Sequence, residues 1–512
     1  MLAAIALTIA ITLPFILWPH FDGRGRASYD QKNYHERVVR QFEAEWPTPD
    51  VGDYLSATTP GYHLALAAAA KLGLESTRAL RIAGLGFVIA LVGIVAWTVW
   101  VRTGRDNWFA FAVTLPLIAS VYVNNSAVWL LPDNAAWCLV TLILALATRE
   151  RWSASALVAM GLALVGLVLA RQIHAWAAGA IYACCWMNGN TLWPRDVREL
   201  RGRVGRVALG AVVSLPAFGV LAWFVSIWGG LTPPRFQGRY GGFNWATPAF
   251  FLALLGLGSA FFLGYLIPTL GRLWREGPTP LALAALGGFI VSVIPETSYD
   301  QMAGRWTGLW GVVRMVPVFA DRSPLLIAMS AWGGAMLYAW SAAVGGRFRW
   351  VMLGSIAGFV AAQTTSPELW QRYHEPFVLI VLALWAAEVV REERRAGPVN
   401  RGDEAAEDAA GGSRFPRRLL GLARMGDPAM LALLLGLITA RGYWTARVTT
   451  LHPLEEIQDV IDRVPRAERG RNAAESGPDA GVPRTGAGGG PLDGVPASAG
   501  DGDAGGGSDR EE

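Results

Sequence analysis

Apolar residues run through this chain in long uninterrupted blocks separated by short polar connectors. Blocks such as 80–101 and 207–228 are long enough to cross a hydrocarbon core of ~30 Å. Backbone N–H and C=O groups have no partner in lipid, so each block must close its hydrogen bonds internally as a helix. The pattern predicts thirteen candidate spans, at 2–18, 81–101, 108–123, 133–148, 153–170, 172–187, 207–228, 248–270, 279–295, 324–343, 349–364, 375–390 and 428–441, the last being the weakest. The 153–170 and 172–187 blocks are short and meet at Arg171, so one broken or re-entrant unit is the alternative there. The first block has no basic residue ahead of it and no small-residue cleavage pattern after it, and reads as a span rather than a signal peptide. The expected fold is an all-α polytopic membrane bundle of twelve to thirteen transmembrane helices.

Composition agrees, with 53% apolar and 16% charged residues. The basic residues do not indicate nucleic acid. Lys32 and Lys71 are the only lysines, and the arginines cluster in short loops at 102–105, 149–151, 195–206, 272–275, 347–349 and 391–395. Such clustering marks the cytoplasmic face. The large first loop, 19–80, then lies outside, with the connectors 229–247, 296–323 and 365–374, which suggests an outward-facing working surface. Within that first loop the apolar stretch 60–74 is too short to cross and fits a helix at the interface. Domain boundaries follow: a transmembrane domain over 1–390, a charged cytoplasmic linker at 391–427, a last span within 428–445, and a short amphipathic helix at 446–465. The Gly-, Asp- and Pro-rich tail, 466–512, cannot bury a core and is expected to be disordered. Cys138, Cys184 and Cys185 lie in apolar blocks with no metal spacing and read as core fillers.

The first loop holds the densest chemistry. It carries Tyr29, Asp30, Gln31, Lys32, Asn33, Tyr34 and His35, then Trp46-Pro47, and then Thr58-Thr59-Pro60-Gly61-Tyr62-His63. A carboxylate, two histidines and several aromatics directly after a span suit a base acting between a lipid substrate and an aqueous one. A solvated loop with aromatic membrane anchors is the plainer alternative. Arg171 with Asp133 reads either as part of a site or as a structural ion pair, and Arg372 as a phosphate ligand or an interfacial anchor. His63 and His174, and more openly His35 and His374, also read as hydrogen-bonded interfacial histidines.

The order of these pieces resembles the eukaryotic α-1,2-glucosyltransferase family that adds the terminal glucose to the dolichol-linked oligosaccharide, within the GT-C superfamily. The similarity runs through the first loop (Asp30, Gln31, Tyr34, His35, Thr58-Thr59-Pro60-Gly61), Leu80-Arg81-Ile82, Leu131-Pro132-Asp133, Arg171-Gln172-Ile173-His174-Ala175-Trp176, the run from Gly304 through Arg305 to Trp310, and Glu368…Arg372-Tyr373…Pro376. Two departures stand out: Gln31 occupies the place of a usual Glu, and the spacing from Asp30 to His35 is one residue longer.

The resemblance implies a membrane hexosyltransferase that moves a sugar from a polyprenyl-phosphate carrier, with inversion, to a lipid-linked glycan or other acceptor outside the membrane. It implies Asp30 as the base taking the acceptor proton. It implies Arg372, Arg171 and Arg305 on the donor phosphate, and His35, Gln31, Tyr34, Thr59, Asp133, Gln172 and Tyr373 around the substrates. Without the second carboxylate at position 31 a divalent metal is not expected, nor any cofactor beyond the lipid-linked sugar. The rival reading is a transporter or lipid-linked-sugar flippase, which predicts paired broken helices and charges deep in spans.

Overall fold

The computed structural model describes residues 1–18, 26–150, 153–187, 191–237, 242–395 and 417–448. The helices are α1 (Leu2–Leu17), α2 (Arg26–Asp30), α3 (Glu36–Ala44), α4 (Gly61–Lys71), α5 (Thr77–Arg102), α6 (Asn107–Ala119), α7 (Val121–Val128), α8 (Asp133–Ala147), α9 (Ala154–Ala170) and α10 (Ala178–Trp186). They continue as α11 (Val197–Trp228), α12 (Thr247–Ala260), α13 (Leu263–Glu276), α14 (Thr279–Val293), α15 (Leu309–Val313), α16 (Pro324–Ala343), α17 (Gly346–Thr364), α18 (Glu375–Arg395) and α19 (Arg417–Val448). No β-strand occurs among the described residues beyond isolated bridges at Asp300–Arg305 and Phe319–Arg322. The protein is an all-α, multi-pass membrane bundle.

Local sequence sets the helix starts. The Ser76, Asp106, Ser153, Asp196 and Ser323 side chains each accept from a backbone N–H in the first turn of α5, α6, α9, α11 and α16. Gly229, at φ 72°, closes α11 in the left-handed conformation that glycine adopts without strain. Helices α12, α14 and α16 pack tightly through small residues: a Cβ placed on Gly333 would sit 1.9 Å from the Leu252 carbonyl oxygen.

Every predicted span falls on helix, but fewer cross straight than expected. Among the described residues five helices have the length and apolarity to span, or seven spans if two bent pairs are each counted once. Four more, α1, α8, α9 and α14, are apolar but only 10–17 residues long. The 108–123 block breaks at Ser120, where α6 and α7 meet at 71°, and the 248–270 block breaks at Phe261-Phe262, where α12 and α13 meet at 101°. Apolar runs register length, while a bend leaves the run intact. The 428–441 block lies within α19, and 421–441 passes as a candidate span. Residues 396–416 of the expected linker, most of the expected 446–465 helix and the 466–512 tail lie outside the described residues.

The first loop is not a solvated excursion. Val38, Val39, Phe42, Tyr54, Tyr62 and Leu66 form a core of their own, which closes against Leu80, Leu130, Ala170, Phe224 and Trp228 at the helix ends. Helix α4 is buried on this face through Tyr62, His63, Leu66, Ala67 and Ala70.

Candidate functional site

Helix α2 places Arg26 one turn before Asp30, and the Arg26 Nε donates to Asp30 Oδ1 at 3.1 Å. From the far end of the chain, Arg372 Nη1 donates to Asp30 Oδ2 at 2.9 Å. Both carboxylate oxygens are therefore engaged by guanidinium groups, and Asp30 is only 5% exposed. Helix α2 continues as a five-residue π turn, Gln31–His35. A π turn holds one more residue between hydrogen-bonded partners than an α turn.

Arg372 is further fixed by its Nη2 donating to the Tyr373 hydroxyl at 2.9 Å, and it lies 4.9 Å from the ring centroids of both Trp370 and Tyr373. Its Nε is buried with no hydrogen-bond partner among the described residues. Tyr373 also carries Arg171 on its ring at 4.6 Å, and Arg171 is ion-paired with Asp133 at the start of α8. Five charged groups from four separate parts of the chain, Arg26 with Asp30, Asp133, Arg171 and Arg372, thus gather at one end of the bundle.

A cavity of about 140 Å³ opens at this cluster. Arg26, Asp133 and Arg372 supply its charged lining, and Trp137, Trp306 and Trp370 its aromatic walls. Asp30 stands behind Arg26 and Arg372 rather than in the wall.

His35 and His63 lie beneath, Nδ1 to Nε2 at 2.9 Å, with near-parallel rings. Burial, and then the positive charges of Arg372 and Arg171, pull the His35 pKa down to about 3. Burial, and then His35 itself, hold His63 well below the usual histidine range. Both rings are neutral near pH 7.

The remaining predicted residues separate by role. The Gln31 side-chain oxygen accepts from Arg81 Nε at 2.9 Å and from the Leu130 backbone at 3.2 Å, while its amide donates to Glu36 at 2.7 Å. Gln31 is a brace between segments. Thr59 and Gln172 lock the first loop to the break after α9: Thr59 Oγ1 donates to the Val168 carbonyl at 2.5 Å, and Gln172 Nε2 to those of Ala57 and Leu231 at 2.8 and 2.9 Å. Tyr34 packs edge-on to Tyr29 and Phe236. Arg305 is not brought to the cluster. Its guanidinium closes its own loop onto the Ser298 carbonyl at 2.9 Å and onto Glu296 and Asp300, although its neighbours Trp306 and Thr307 line the cavity. His174 accepts from Trp176 Nε1 and packs edge-to-face against Trp137, and His374 bonds the Trp370 carbonyl; both are packing residues.

Sequence reasoning missed Arg26, whose signal was its i, i+4 spacing to Asp30. It also missed Glu375, a buried carboxylate opening the apolar α18. Glu375 accepts from Ser120 at 2.6 Å and from Gln371 at 2.5 Å, and Gln371 in turn accepts from the Leu309 N–H at 2.6 Å. These bonds tie the α6–α7 break to the loop bearing Thr307.

No family model and no curated protein matches this chain. Among solved structures it is similar to ArnT from Cupriavidus metallidurans bound to undecaprenyl phosphate, at 15% identity over 86% of this chain and 77% of that one, with a TM-score of 0.42. It is also similar to the apo form of the same ArnT, at 15% identity over 76% and 77% of the two chains, with a TM-score of 0.36. Neither likeness assigns this chain to a family.

Proposed function

We propose that the protein is a GT-C-type membrane glycosyltransferase that transfers a hexose from a polyprenyl-phosphate carrier to a lipid-linked glycan or other acceptor on the extracytoplasmic side. The observation that carries this reading is the gathering of three arginines and two aspartates, from four separate chain regions, around one aromatic-walled cavity at one end of the bundle. Transfer from a lipid phosphate needs cations on the leaving group and one carboxylate to take the acceptor proton. Arg372, with its free Nε, and Arg26 are the phosphate ligands in this reading. Arg171 acts through Tyr373 and Asp133, and the guanidinium groups take the place a divalent metal would fill. Asp30 is the base: each carboxylate oxygen has a second lone pair beyond its bond to arginine. Direct displacement by the acceptor at this base gives inversion at the sugar.

The transporter alternative would be favoured by helix breaks meeting at one path. The breaks do not share one path: those after α6 and after α9 lie near the cavity, and the one between α12 and α13 lies at the other end. Ser120 sits beside Glu375 near the cavity, whereas α12 follows Asn244, bonded to the loop carbonyls of Ala303 and Pro367, and runs to a break close to Tyr265 and Arg424 at the other end.

The test is to incubate membranes containing the protein with a panel of radiolabelled polyprenyl-phosphate hexoses. The expected result is consumption of one donor with release of polyprenyl phosphate, abolished by Asp30→Asn. Translocation of an intact lipid-linked sugar in proteoliposomes, with no donor consumed, would replace this reading by the transporter one.

A further inference from the structure

Helices α8 and α18 begin at the cavity with Asp133 and with Glu375 and Pro376, α5 starts on the same side, where Arg81 bonds Gln31, and the three run away for up to 26 residues, or about 39 Å at the α-helical rise. Their far ends are knitted by a second set of charges. Arg102 is buried and ion-paired with Glu388, and it donates to the Thr148 carbonyl and hydroxyl at 3.0 and 2.6 Å. Glu388 also takes Arg391, and Glu150 takes both Arg391 and Arg395.

Beside this knot lies a second cavity, of about 330 Å³, whose charged lining consists of Arg149, Arg347, Arg391 and Arg395 against Glu150 and Glu392. Glu150 is already shared between Arg391 and Arg395. Arg149 and Arg347 form no ion pair with any described residue, and the only side-chain partner of Arg347 there is the Cys184 sulfur at 2.6 Å. The Nε atoms of Arg347 and Arg391 are buried with no acceptor among the described residues. Two separate observations therefore ask for an anion: an excess of cations in the lining, and buried guanidinium donors without acceptors.

We propose that this cavity is a binding site for a phosphate-bearing anion at the arginine-rich end of the bundle, distinct from the site of the proposed transfer. Phosphate oxygens match the forked guanidinium donors. The site lies where spans end, as basic pockets for lipid headgroups do. The phosphate comes either from an anionic phospholipid or from solution, and the test separates the two.

Full-length protein is reconstituted in nanodiscs of phosphatidylcholine alone or with phosphatidylglycerol, and its thermal midpoint is followed with and without inorganic phosphate. Arg149→Gln, Arg347→Gln and, as a control outside the cavity, Arg275→Gln are compared with the unmodified chain. A rise in midpoint with phosphatidylglycerol that shrinks in the two cavity variants and persists in Arg275→Gln supports the site and assigns it to lipid. Native mass spectrometry of the same samples should show retained phosphatidylglycerol falling by about tenfold in the cavity variants. The same variant-sensitive rise with inorganic phosphate in phosphatidylcholine alone supports the site and assigns it to a soluble anion. Equal responses in all four proteins to either probe overturn the proposal. Arg149 is exposed, so Arg149→Gln keeps the test decisive should Arg347→Gln fail to fold.

Discussion

Asp30 shows how a residue's chemistry can be read from sequence while its setting is not. Its position after the first span is visible in the chain, but an exposed loop aspartate would tolerate substitution, and this one is buried between two guanidinium groups. Its partner Arg372 lies 342 positions away, a pairing no local pattern encodes. Asp30→Asn removes the carboxylate charge that neutralises Arg26 and Arg372. Those side chains keep 29% and 20% exposure, so the cost should be roughly 1–3 kcal/mol, below the ~3–5 of a fully buried pair. Transfer per folded molecule should drop by ~10²–10⁴. Donor turnover normalised to the monodisperse fraction on size exclusion checks this, and a near-native rate would refute Asp30 as the base. Arg372→Lys keeps the charge but loses the fork and the stacking on Trp370 and Tyr373, so the donor KM should rise on the order of tenfold. An unchanged KM would make Arg372 a structural anchor. His35 gives a pH signature. Its folded pKa, about 3, lies below the unfolded 6.5. Between those values the unfolded chain binds the extra proton, so stability is full above pH 6.5 and is lost as pH falls, by up to about 1.4 kcal/mol per pH unit. Thermal midpoints measured from pH 7 to pH 4 should fall less steeply for His35→Gln than for the native chain, and parallel curves would exclude this histidine as a source of the acid sensitivity.

At the scale of elements, helices were legible because apolar length and polar caps are local properties. The breaks at Ser120 and Phe261 were not, since each is set by what packs beside it. Gln31 and Thr59 carried a similar ambiguity. Their place in a reactive-looking loop suggested substrate contact, but their hydrogen bonds run to Arg81, Leu130, Val168 and Gln172 and hold the loop down. The fit of α4 against α9 is where that hold is tightest. A Cβ on Gly61 would come within 2.7 Å of both the Leu169 Cβ and its carbonyl oxygen, at the turn that delivers His63 to His35. Gly61→Val should therefore push α4 off α9 and cost about 1–3 kcal/mol as overpacking does. Limited proteolysis should then cut within 45–75 faster than in the native chain, with cleavage elsewhere unchanged. An unaltered digestion pattern would mean that the loop core accommodates the side chain.

For the whole molecule, the arrangement of charges defines two ends, and function depends on which faces outward. The cluster of Arg26, Asp30, Asp133, Arg171 and Arg372 sets two buried aspartates against three arginines, whereas the opposite end carries arginines in and around the connectors at 149–150, 195–206 and 391–395. Arginine-rich connectors stay in the cytoplasm because translocating them is unfavourable. The expected orientation then has the first loop and the proposed transfer site outside, and the second cavity inside. The prediction can be read with single cysteines, because Cys138, Cys184 and Cys185 are all buried and should stay silent. Glu75, exposed at the turn between α4 and α5, and Trp193, exposed ahead of α11, are suitable positions. In intact cells an impermeant maleimide should label Glu75→Cys and spare Trp193→Cys, and permeabilised cells should label both. Labelling of Trp193→Cys alone would invert the molecule, move the Asp30 cavity to the cytoplasmic face, and exclude a transferase acting on an outward-facing lipid-linked sugar.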